Sequence, residues 1–489
     1  MAYVKRELID GVTPLNKDLL DHMQDGIAGA SSGISEVCLA KQYDLVVGDT
    51  FQLFYRGVVK CFDVNAEGIL VKCAKGRAYP RFYEFAPTEA DVGEYELTLT
   101  TRTIYGGIKS TGTTKIVVHP KPTFGAPTNF NLLTVGDSLT YGGVWEAEGL
   151  RRILPKAQTN STATSPATLS VGNLTITTYG KRQSTVDGYT IRHEGYSGWH
   201  WLSYITADNV YSTTNGIIVT LDNAHNYDLD TVQKSEWRDN NGKYWELENF
   251  PATTQIKFNR GQGNNAEQKN TTLPTTLTCE SLSLSITPKT VAWEAGNPFW
   301  NETTGKLDFL QHASECGIEN ADIMACLLTW NQNGKLDGSF GDLDFNFQTT
   351  RHRDWAATFL RQFHKDFPNA KVILLGLQVP SITGGTGANY TTNTFAGDMW
   401  GMAMYAFDYS KMLEELAESD EFKDFCYYAD TKGQFDTEYM MPYSQQKVNT
   451  RSTATEMRGT NGVHPSQDGY RQIGDVFFRK LVAVLNELQ

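Results

Sequence analysis

At 489 residues the chain is long for a single domain, and a usual domain size of about 150 residues predicts roughly three units. Its 40% hydrophobic and 12% aromatic residues can bury several cores, which excludes a chain that is disordered throughout. The formal net charge of −13 argues against nucleic acid or an anionic membrane as the main partner, but it leaves a neutral or basic glycan open.

The amino terminus and the cysteines indicate where the chain is made. The opening residues MAYVKRELIDGV lack the apolar stretch of a secretory signal peptide, and no uncharged apolar run reaches the ~18 residues that a membrane span needs. The 7 cysteines form neither a CxxC pair nor a cluster with zinc-ligand spacing. We expect free thiols in a reducing cytoplasm, and no metal or cofactor.

Residues 1–37 are predicted to form a helical docking or oligomerisation segment. Three glycines here each cost about 1 kcal/mol relative to alanine in a helix, so the segment would need support from other parts of the chain. A homotrimer is one expectation, and a short amphipathic helix packed on its own domain is the alternative. The segment carries apolar residues at alternating three- and four-residue spacing, the seam of a short coiled coil: Leu20, Met23, Ile27, Ala30, Ile34 and Val37.

Residues 38–120 are predicted to form an immunoglobulin-like β-sandwich. Short runs with period-two alternation, such as GILVKCA and GEYELTLTTR, are separated by Gly and Pro. Asp91, Gly93 and Tyr95 have the form D-x-G-x-Y, which resembles the tyrosine corner of such domains. The Pro-rich stretch 121–129 is predicted to be a linker.

Residues 130–489 alternate apolar strands with amphipathic helices, a pattern typical of a parallel sheet with helices on both faces. The stretch of about 205–295 interrupts this pattern with strand-like runs separated by polar segments, and it is predicted to be a β-rich insertion. The candidate strands of the α/β domain are NLLTVGD (131–137), ADIMACLLT (321–329), KVILLGLQV (371–379) and FCYYAD (425–430).

Two short motifs carry the residues of nucleophilic catalysis. The sequence GDSL (136–139) follows an apolar strand directly, which places Ser138 at the carboxyl edge of a parallel sheet, where such folds hold their sites. His464 lies in the loop NGVHPS (461–466), and an imidazole can take a serine proton near neutral pH. Each motif alone also fits an ordinary turn or a surface histidine, but the pair in this order favours a nucleophile and its base.

With these motifs the chain resembles the SGNH/GDSL hydrolase family over about 130–489, apart from the insertion. The resemblance implies a flavodoxin-like three-layer α/β fold and serine esterase activity. Ser138 matches the nucleophile of the family, and His464 with the following proline fits its D-x-x-H-P block.

The same resemblance implies an oxyanion hole. Gly198 in HEGYSGW (193–199) matches the glycine of the second block, in the form seen in carbohydrate-esterase members. Asn331 in LTWNQNG (327–333) falls on the asparagine of the third block, although Thr329 and Gln332 replace its glycine and aspartate. The Ser138 N–H, the Gly198 N–H and the Asn331 amide would donate to the oxyanion of acyl transfer. A turn asparagine and a glycine that eases a bend are the alternative interpretation.

The position of the family's acid, three residues before the histidine, holds Asn461. An amide can orient an imidazole but cannot stabilise the imidazolium, and in serine proteases the comparable change costs about 10⁴ in kcat. We favour a carboxylate from elsewhere over a Ser–His dyad helped by a backbone carbonyl, or over a weakened enzyme that mainly binds. The candidates for this orienting acid lie upstream: Asp436, Glu438 and Glu456.

Aromatic residues crowd these motifs, and we expect them to line the cleft and stack on sugar rings. They favour a glycan ester over a lipid as substrate. A core position is the alternative, above all for the last of them. The predicted substrate-binding residues are Tyr141, Trp145, Tyr196, Trp199 and Trp330.

The opening GVTPLNKDLLDHMQDGI and the sandwich segment resemble those of phage tail-fibre and receptor-binding proteins that carry SGNH domains. The resemblance implies a virion tail protein, made in the host cytoplasm without a signal peptide, that removes O-acetyl or similar groups from a host surface polysaccharide. Its partners would be that polysaccharide and other tail proteins. Two other functions stay open: a glycan-binding adhesin with little catalysis, and a bacterial intracellular carbohydrate esterase.

Overall fold

The protein is a mixed α/β chain that divides into two compact units. Unit 1 comprises Met1–Thr123, Leu377–Lys411 and Ala429–Gln489, and unit 2 comprises Phe124–Gly376 and Met412–Tyr428. The computed structural model describes residues 35–61, 63–103, 105–156, 158–161, 166–206, 217–224, 236–240, 242, 244–252, 254–259, 275–279, 283–293, 297–301, 303–328, 331, 345–380 and 399–489.

The amino-terminal part of unit 1 consists of short strands. One sheet has the order β2-β9-β8-β5, in which β2 is parallel to β9 and the other pairs are antiparallel, and a second has the order β3-β7-β6. The elements are β1 (Ser35–Val37), β2 (Gln42–Val46), β3 (Phe51–Phe54), α1 (Tyr55–Val58), β4 (Val59–Cys61), β5 (Gly68–Cys73), β6 (Arg77–Ala78), β7 (Phe82–Phe85), β8 (Gly93–Arg102) and β9 (Ile108–His119).

Aromatic rings join these two sheets. Tyr43 on β2 lies 5.6 Å from Phe51 on β3, and Phe85 on β7 lies 6.0 Å from Tyr95 on β8, measured between ring centroids. Large rings that alternate with polar residues along short strands bury one face of each sheet, as the period-two pattern predicts.

The predicted coiled-coil seam up to Ile34 lies outside the described residues. Its last position, Val37, was expected on the helix but lies on β1, which pairs with β4. The Val37 N–H donates to Ser110 Oγ at 3.0 Å. A helix predicted through Val37 is therefore wrong over its last three residues, because their backbone groups are used by strand pairing.

Unit 2 is organised around a sheet of the order β11-β12-β13-β10-β25-β26-β27. Its elements, in chain order, are β10 (Thr128–Gly136), α2 (Ser138–Tyr141), α3 (Val144–Ile153), β11 (Gln158–Asn160), β12 (Ala167–Val171), β13 (Leu174–Tyr179), β14 (Arg182–Val186), β15 (Tyr189–Gly195), α4 (Trp201–Ile205), β16 (Ile217–Thr220), β17 (Glu236–Asp239), β18 (Tyr244–Ala252), β19 (Gln255–Asn259), β20 (Leu277–Cys279), β21 (Leu284–Ile286), β22 (Thr290–Trp293), β23 (Trp300–Asn301), β24 (Lys306–Leu307), α5 (Phe309–Glu315), β25 (Ile323–Leu327), α6 (Phe345–Asp366), β26 (Lys371–Leu375) and β27 (Cys426–Ala429).

The centre of this sheet is parallel. Strand β10 runs parallel to β13, β15 and β25, and β25 runs parallel to β26, whereas β11 and β12 form antiparallel pairs at one edge. The strands β25 and β26 are buried along nearly their whole length, which explains their continuous apolar sequence. Phe359 on α6 packs against Phe309 on α5, with ring centroids 5.0 Å apart.

The stretch predicted as an insertion forms a separate antiparallel sheet of the order β21-β20-β17-β18-β19-β16-β22. The side chains that point inward from these strands build a core of their own. The buried residues of this core are Val219, Trp237, Trp245, Leu247, Ile256, Phe258, Leu277, Cys279 and Ile286.

The remaining elements are mostly helical: α7 (Met399–Ala417), α8 (Thr431–Gln434), β28 (Tyr443–Lys447), β29 (Thr455–Gly459) and α9 (Gln467–Glu487). Within unit 1, a buried ion pair and a buried hydrogen bond connect them to the amino-terminal region. Arg479 on α9 binds Asp49 at 2.6 Å, and the Tyr43 hydroxyl donates to Asp430 at 2.6 Å. Of the helices described, none is long and apolar enough to cross a membrane.

Candidate active site

Three strands of the central sheet end side by side in unit 2. Gly136, the last residue of β10, is in register with Gly195 on β15 and with Leu327 on β25. The pairing continues one residue further, because Tyr196 N donates to Gly136 O at 3.0 Å and Asp137 N donates to Leu327 O at 3.3 Å. The loops that follow these strands therefore start from one edge of the sheet, the carboxyl edge of its parallel strands.

The first of these loops carries Ser138 on a tight turn. Ser138 is half-buried and begins α2, and the preceding Asp137 carboxylate accepts a hydrogen bond from Leu139 N at 2.8 Å. A Cβ atom on Gly136 would lie 1.9 Å from Thr140 Oγ1, so only glycine lets the chain fold back onto its own strand. The GDSL sequence thus places the serine hydroxyl at the end of the strand, as predicted for a nucleophile.

The other two loops bring Gly198 and Asn331 together. Gly198 has φ +81°, a left-handed conformation that side chains disfavour, and a Cβ there would meet nothing within 4 Å. The Asn331 Nδ2 atom donates to the carbonyl oxygen of Trp199 at 2.9 Å. Because an amide has two N–H donors, this bond leaves the second one for an oxyanion.

Two of the predicted substrate-binding residues are core residues instead. Trp145 is 0% exposed, and its indole donates to Thr140 Oγ1 at 3.2 Å. Trp199 is 4% exposed, stacks on Tyr196 at 4.3 Å and meets Tyr204 edge-on at 4.8 Å. A buried ring has no open face for a sugar, so the stacking role predicted for both tryptophans is wrong. Trp145 instead packs against the turn that carries Ser138, and Trp199 packs against the loop that carries Gly198.

The remaining aromatic candidates have different positions. Tyr141 and Tyr196 are half-buried, and the Arg182 guanidinium lies over both rings, 4.0 Å from the Tyr141 centroid and 5.4 Å from the Tyr196 centroid. The two rings therefore lie beside the loops that carry Ser138 and Gly198. Trp330 lies outside the described residues.

In unit 1, the loop of His464 is held by amides. The Asn461 Oδ1 atom accepts hydrogen bonds from Val463 N and His464 N, each at 2.9 Å, and its Nδ2 atom lies 3.5 Å from His464 Nδ1. Gln378 Nε2 donates to Val463 O at 2.8 Å. Burial lowers the pKa of His464 below its usual 6.5, which keeps the imidazole neutral at neutral pH.

These contacts define what Asn461 can do for His464. Two backbone N–H donors fix the Asn461 oxygen, so its Nδ2 group faces the ring and can only donate. A donor at Nδ1 favours the tautomer with its proton on Nε2. A histidine that takes a serine proton on Nε2 needs its own proton on Nδ1. Asn461 therefore orients the loop but does not supply the acceptor that an aspartate would.

The three carboxylates considered as a replacement acid are bound to arginines in unit 1. Asp436 Oδ1 lies 2.5 Å from Arg81 Nη2, and Glu438 binds the same guanidinium. Glu456 Oε1 lies 2.6 Å from Arg458 Nη2. These partners correct our preference for a replacement acid among the three, and the Asn461 amide nitrogen lies 3.5 Å from His464 Nδ1.

A buried cluster in unit 2 escaped the sequence analysis. Glu194, His312 and Cys316 offer an oxygen, a nitrogen and a sulfur within 4.8 Å of one another, a set that zinc can accept. However, His312 Nε2 lies 2.7 Å from Glu194 Oε1, a hydrogen-bond distance, so the nitrogen that would face a metal binds the carboxylate. The four-residue spacing between His312 on α5 and Cys316, which caps the end of that helix, was the available signal.

No protein-family model and no curated protein sequence matches the chain. Among solved structures it is similar to a carbohydrate esterase family 3 protein from Talaromyces cellulolyticus, with 12% identity over 74% of this chain and 100% of that chain and a TM-score of 0.31. A carbohydrate esterase family 2 enzyme plus carbohydrate binding domain from Corynascus thermopiles has 12% identity over 93% of this chain and 100% of that chain, with a TM-score of 0.28. A peptidoglycan O-acetylesterase has 12% identity over 74% of this chain and 93% of that chain, with a TM-score of 0.23. Likenesses this low do not assign an activity, so the case for function rests on the site.

Proposed function

We propose that the chain is a serine esterase of the SGNH/GDSL type, with Ser138 as nucleophile and His464 as base. The observation that carries the proposal is the register at the sheet edge, from which the loops of Ser138, Gly198 and Asn331 all start. The strand order β13-β10-β25-β26-β27 also supports a flavodoxin-like layout, because the first strand of the parallel set lies between the second and the third.

The proposed reaction is acyl transfer through a covalent intermediate. Ser138 Oγ attacks the ester carbonyl and gives its proton to His464, and the oxyanion binds the N–H groups of Ser138 and Gly198 and the Asn331 amide. The tetrahedral intermediate then releases the alcohol, which takes the proton back from His464. Water, activated by the same imidazole, attacks the acyl-enzyme and frees the acid and Ser138.

We further propose that the substrate is an O-acetyl ester on a host surface polysaccharide and that the protein belongs to a phage tail, as a homotrimer with an immunoglobulin-like module. The half-buried ring of Tyr141 supports a sugar substrate, because an aromatic ring beside the proposed nucleophile suits a pyranose ring better than an acyl chain. The facing sheets of the amino-terminal region support the module.

A two-step assay tests this function. Purified protein should hydrolyse p-nitrophenyl acetate, and a fluorophosphonate should add one label that mass spectrometry locates on Ser138. Acetate release from purified host polysaccharide should follow. Failure of the label to reach Ser138 in an active protein would contradict the assigned nucleophile, and release from p-nitrophenyl acetate alone would contradict the polysaccharide.

One observation favours a second function, a glycan-binding adhesin with slow turnover. Asn461 faces His464 Nδ1 with a donor, which weakens the base without altering the donor loops. In that case the protein would bind the polysaccharide in a pull-down while releasing no acetate from it during hours of incubation.

A further inference from the structure

Glu194 is a fully buried carboxylate for which acyl transfer has no direct use. It is the penultimate residue of β15, is 0% exposed, and its side chain accepts three hydrogen bonds in unit 2. His312 Nε2 lies 2.7 Å from Oε1, Lys181 N donates to Oε1 at 2.6 Å, and the Tyr196 hydroxyl donates to Oε2 at 2.6 Å. A buried carboxylate with this many donors holds its neighbours in one geometry, because losing any of them leaves charge unpaired.

The pair is ionised at neutral pH. Burial alone would raise the pKa of Glu194, but the hydrogen bond from His312 and the bonds from Tyr196 and Lys181 lower it. Burial alone would lower the pKa of His312, but its contacts with Cys316 and Glu194 raise it to about 9. Further titratable or charged groups around the pair come from the neighbouring strands and helices: Tyr179, Arg182, Arg192, His193, Tyr204 and Glu315.

A short series of contacts leads from Glu194 to the oxyanion-hole loops. The Tyr196 ring, fixed through its hydroxyl, stacks on Trp199 with centroids 4.3 Å apart, and Trp199 N donates to Tyr196 O at 3.1 Å. The turn closed by that bond contains Gly198. The carbonyl of Trp199 is the group that binds Asn331. Both proposed donors therefore depend on the position of one tyrosine.

We propose that Glu194 and His312 are positioning residues for the oxyanion hole and act through the Tyr196 hydroxyl. The inference rests on the proposed esterase function and deepens it, since neither residue touches substrate. An oxyanion hole stabilises a transition state only when its donors are held in place beforehand, and a displaced donor stabilises the transition state less than it does in the native geometry. Loss of the Tyr196 hydroxyl should thus reduce the rate of chemistry and leave ground-state binding nearly unchanged.

The test is Tyr196→Phe, which keeps the ring and removes only the hydroxyl. We expect kcat on p-nitrophenyl acetate to fall about 10- to 100-fold, the effect of losing a hydrogen bond to a charged group, with KM within about twofold. The matched control is Tyr189→Phe, whose hydroxyl donates to Leu154 O at 2.8 Å in the same unit. The control loses a buried hydrogen bond as well, so an equal fall in kcat in both variants would overturn the proposal.

The dependence of kcat on pH is a second test, because a purely structural role of the pair of Glu194 and His312 would leave this dependence unchanged. In the native protein kcat should fall as His312 loses its proton near pH 9. A neutral His312 binds the Glu194 carboxylate more weakly, so Glu194 holds the Tyr196 hydroxyl less firmly. His312→Gln should lower kcat at neutral pH and abolish this alkaline fall. An alkaline fall that persists unchanged in His312→Gln would overturn the role of the ion pair.

Failure of the proposed function is distinguishable from failure of this inference. If the native protein hydrolyses no ester and Ser138 takes no label, the esterase is refuted, and the positioning claim is then decided by amide hydrogen exchange at Gly198. Faster exchange at Gly198 in Tyr196→Phe than in Tyr189→Phe supports the claim. Equal exchange rates overturn it.

Discussion

The loop of Gly198 and the loop of His464 are held by different chemistry. The first is connected through the Tyr196 hydroxyl to the buried, charged pair of Glu194 and His312, in which the Glu194 carboxylate accepts the hydrogen bond. The second is held by two neutral amides, Asn461 and Gln378, and its imidazole meets a donor where an acceptor is needed. The difference teaches that the loop of the proposed base is held by neutral groups, while the loop of Gly198 has a charged support.

If this comparison is right, substitutions on the donor side reduce the rate, whereas one substitution on the base side increases it. The order of effects follows from what each group does in the transition state. The nucleophile forms a bond, a donor stabilises charge, and the orienting group only selects a tautomer of the base.

The largest effect is expected for Ser138→Ala. Without a nucleophile, ester hydrolysis should fall about 10⁴-fold or more, as it does when one member of a serine triad is removed. Because Ser138 is half-buried on a turn, the free energy of unfolding should change by only about 0.5 kcal/mol. Steady-state rates with p-nitrophenyl acetate and a thermal melt check both parts. Retention of most activity would refute the assigned nucleophile.

Asn331→Ala should follow in size. Removing one oxyanion donor costs about 10²–10³ in kcat, and here the amide also holds Trp199 O. Asn173→Ala is a matched control, because its amide donates to Phe124 O at 2.9 Å at the exposed edge of the same unit. The control should keep native kinetics. A fall in kcat of less than tenfold in Asn331→Ala would show that Asn331 does not belong to the oxyanion hole.

The sharp turn at GDSL and its glycine could be predicted from the sequence because their cause is local. An apolar strand followed by GDSL fixes a sharp turn. Position 136 requires glycine because a Cβ atom there would lie 1.9 Å from Thr140 Oγ1. The period-two runs within 205–295 were a local signal as well, and the strands described there form an antiparallel sheet.

The buried pair and the tryptophans could not be predicted, because their causes are not local. Glu194 and His312 are 118 positions apart, and their pairing depends on how α5 packs against the end of β15. An aromatic residue beside a catalytic motif fits a sugar platform and a core position equally well, and only burial separates the two for Trp145 and Trp199. Strand pairing at Val37 likewise depends on a partner outside the segment.

Asn461→Asp should raise activity. The Asn461 Oδ1 atom keeps its two backbone donors, and the second oxygen replaces the Nδ2 group near His464 Nδ1, where it accepts the proton that the base needs there. We expect kcat to increase about tenfold or more, about 1.4 kcal/mol of barrier. Asn461→Ala is the control, and it should lower kcat because the turn loses both bonds. An unchanged or lower rate in Asn461→Asp would mean that another carboxylate already accepts a hydrogen bond from the His464 imidazole.

The smallest effect is a shift along the pH axis. Burial lowers the pKa of His464 below 6.5, and the neutral imidazole is the active base, so the acid limb of kcat/KM in the native protein should lie below pH 6.5. A carboxylate at position 461 stabilises the imidazolium, which raises the pKa of His464 and moves the acid limb to higher pH. Profiles of kcat/KM from pH 4 to pH 8 for the native protein and Asn461→Asp measure both positions. An acid limb above pH 6.5 in the native protein would show that a negative group already faces His464, and the contrast between a charged donor side and a neutral base side would then fail.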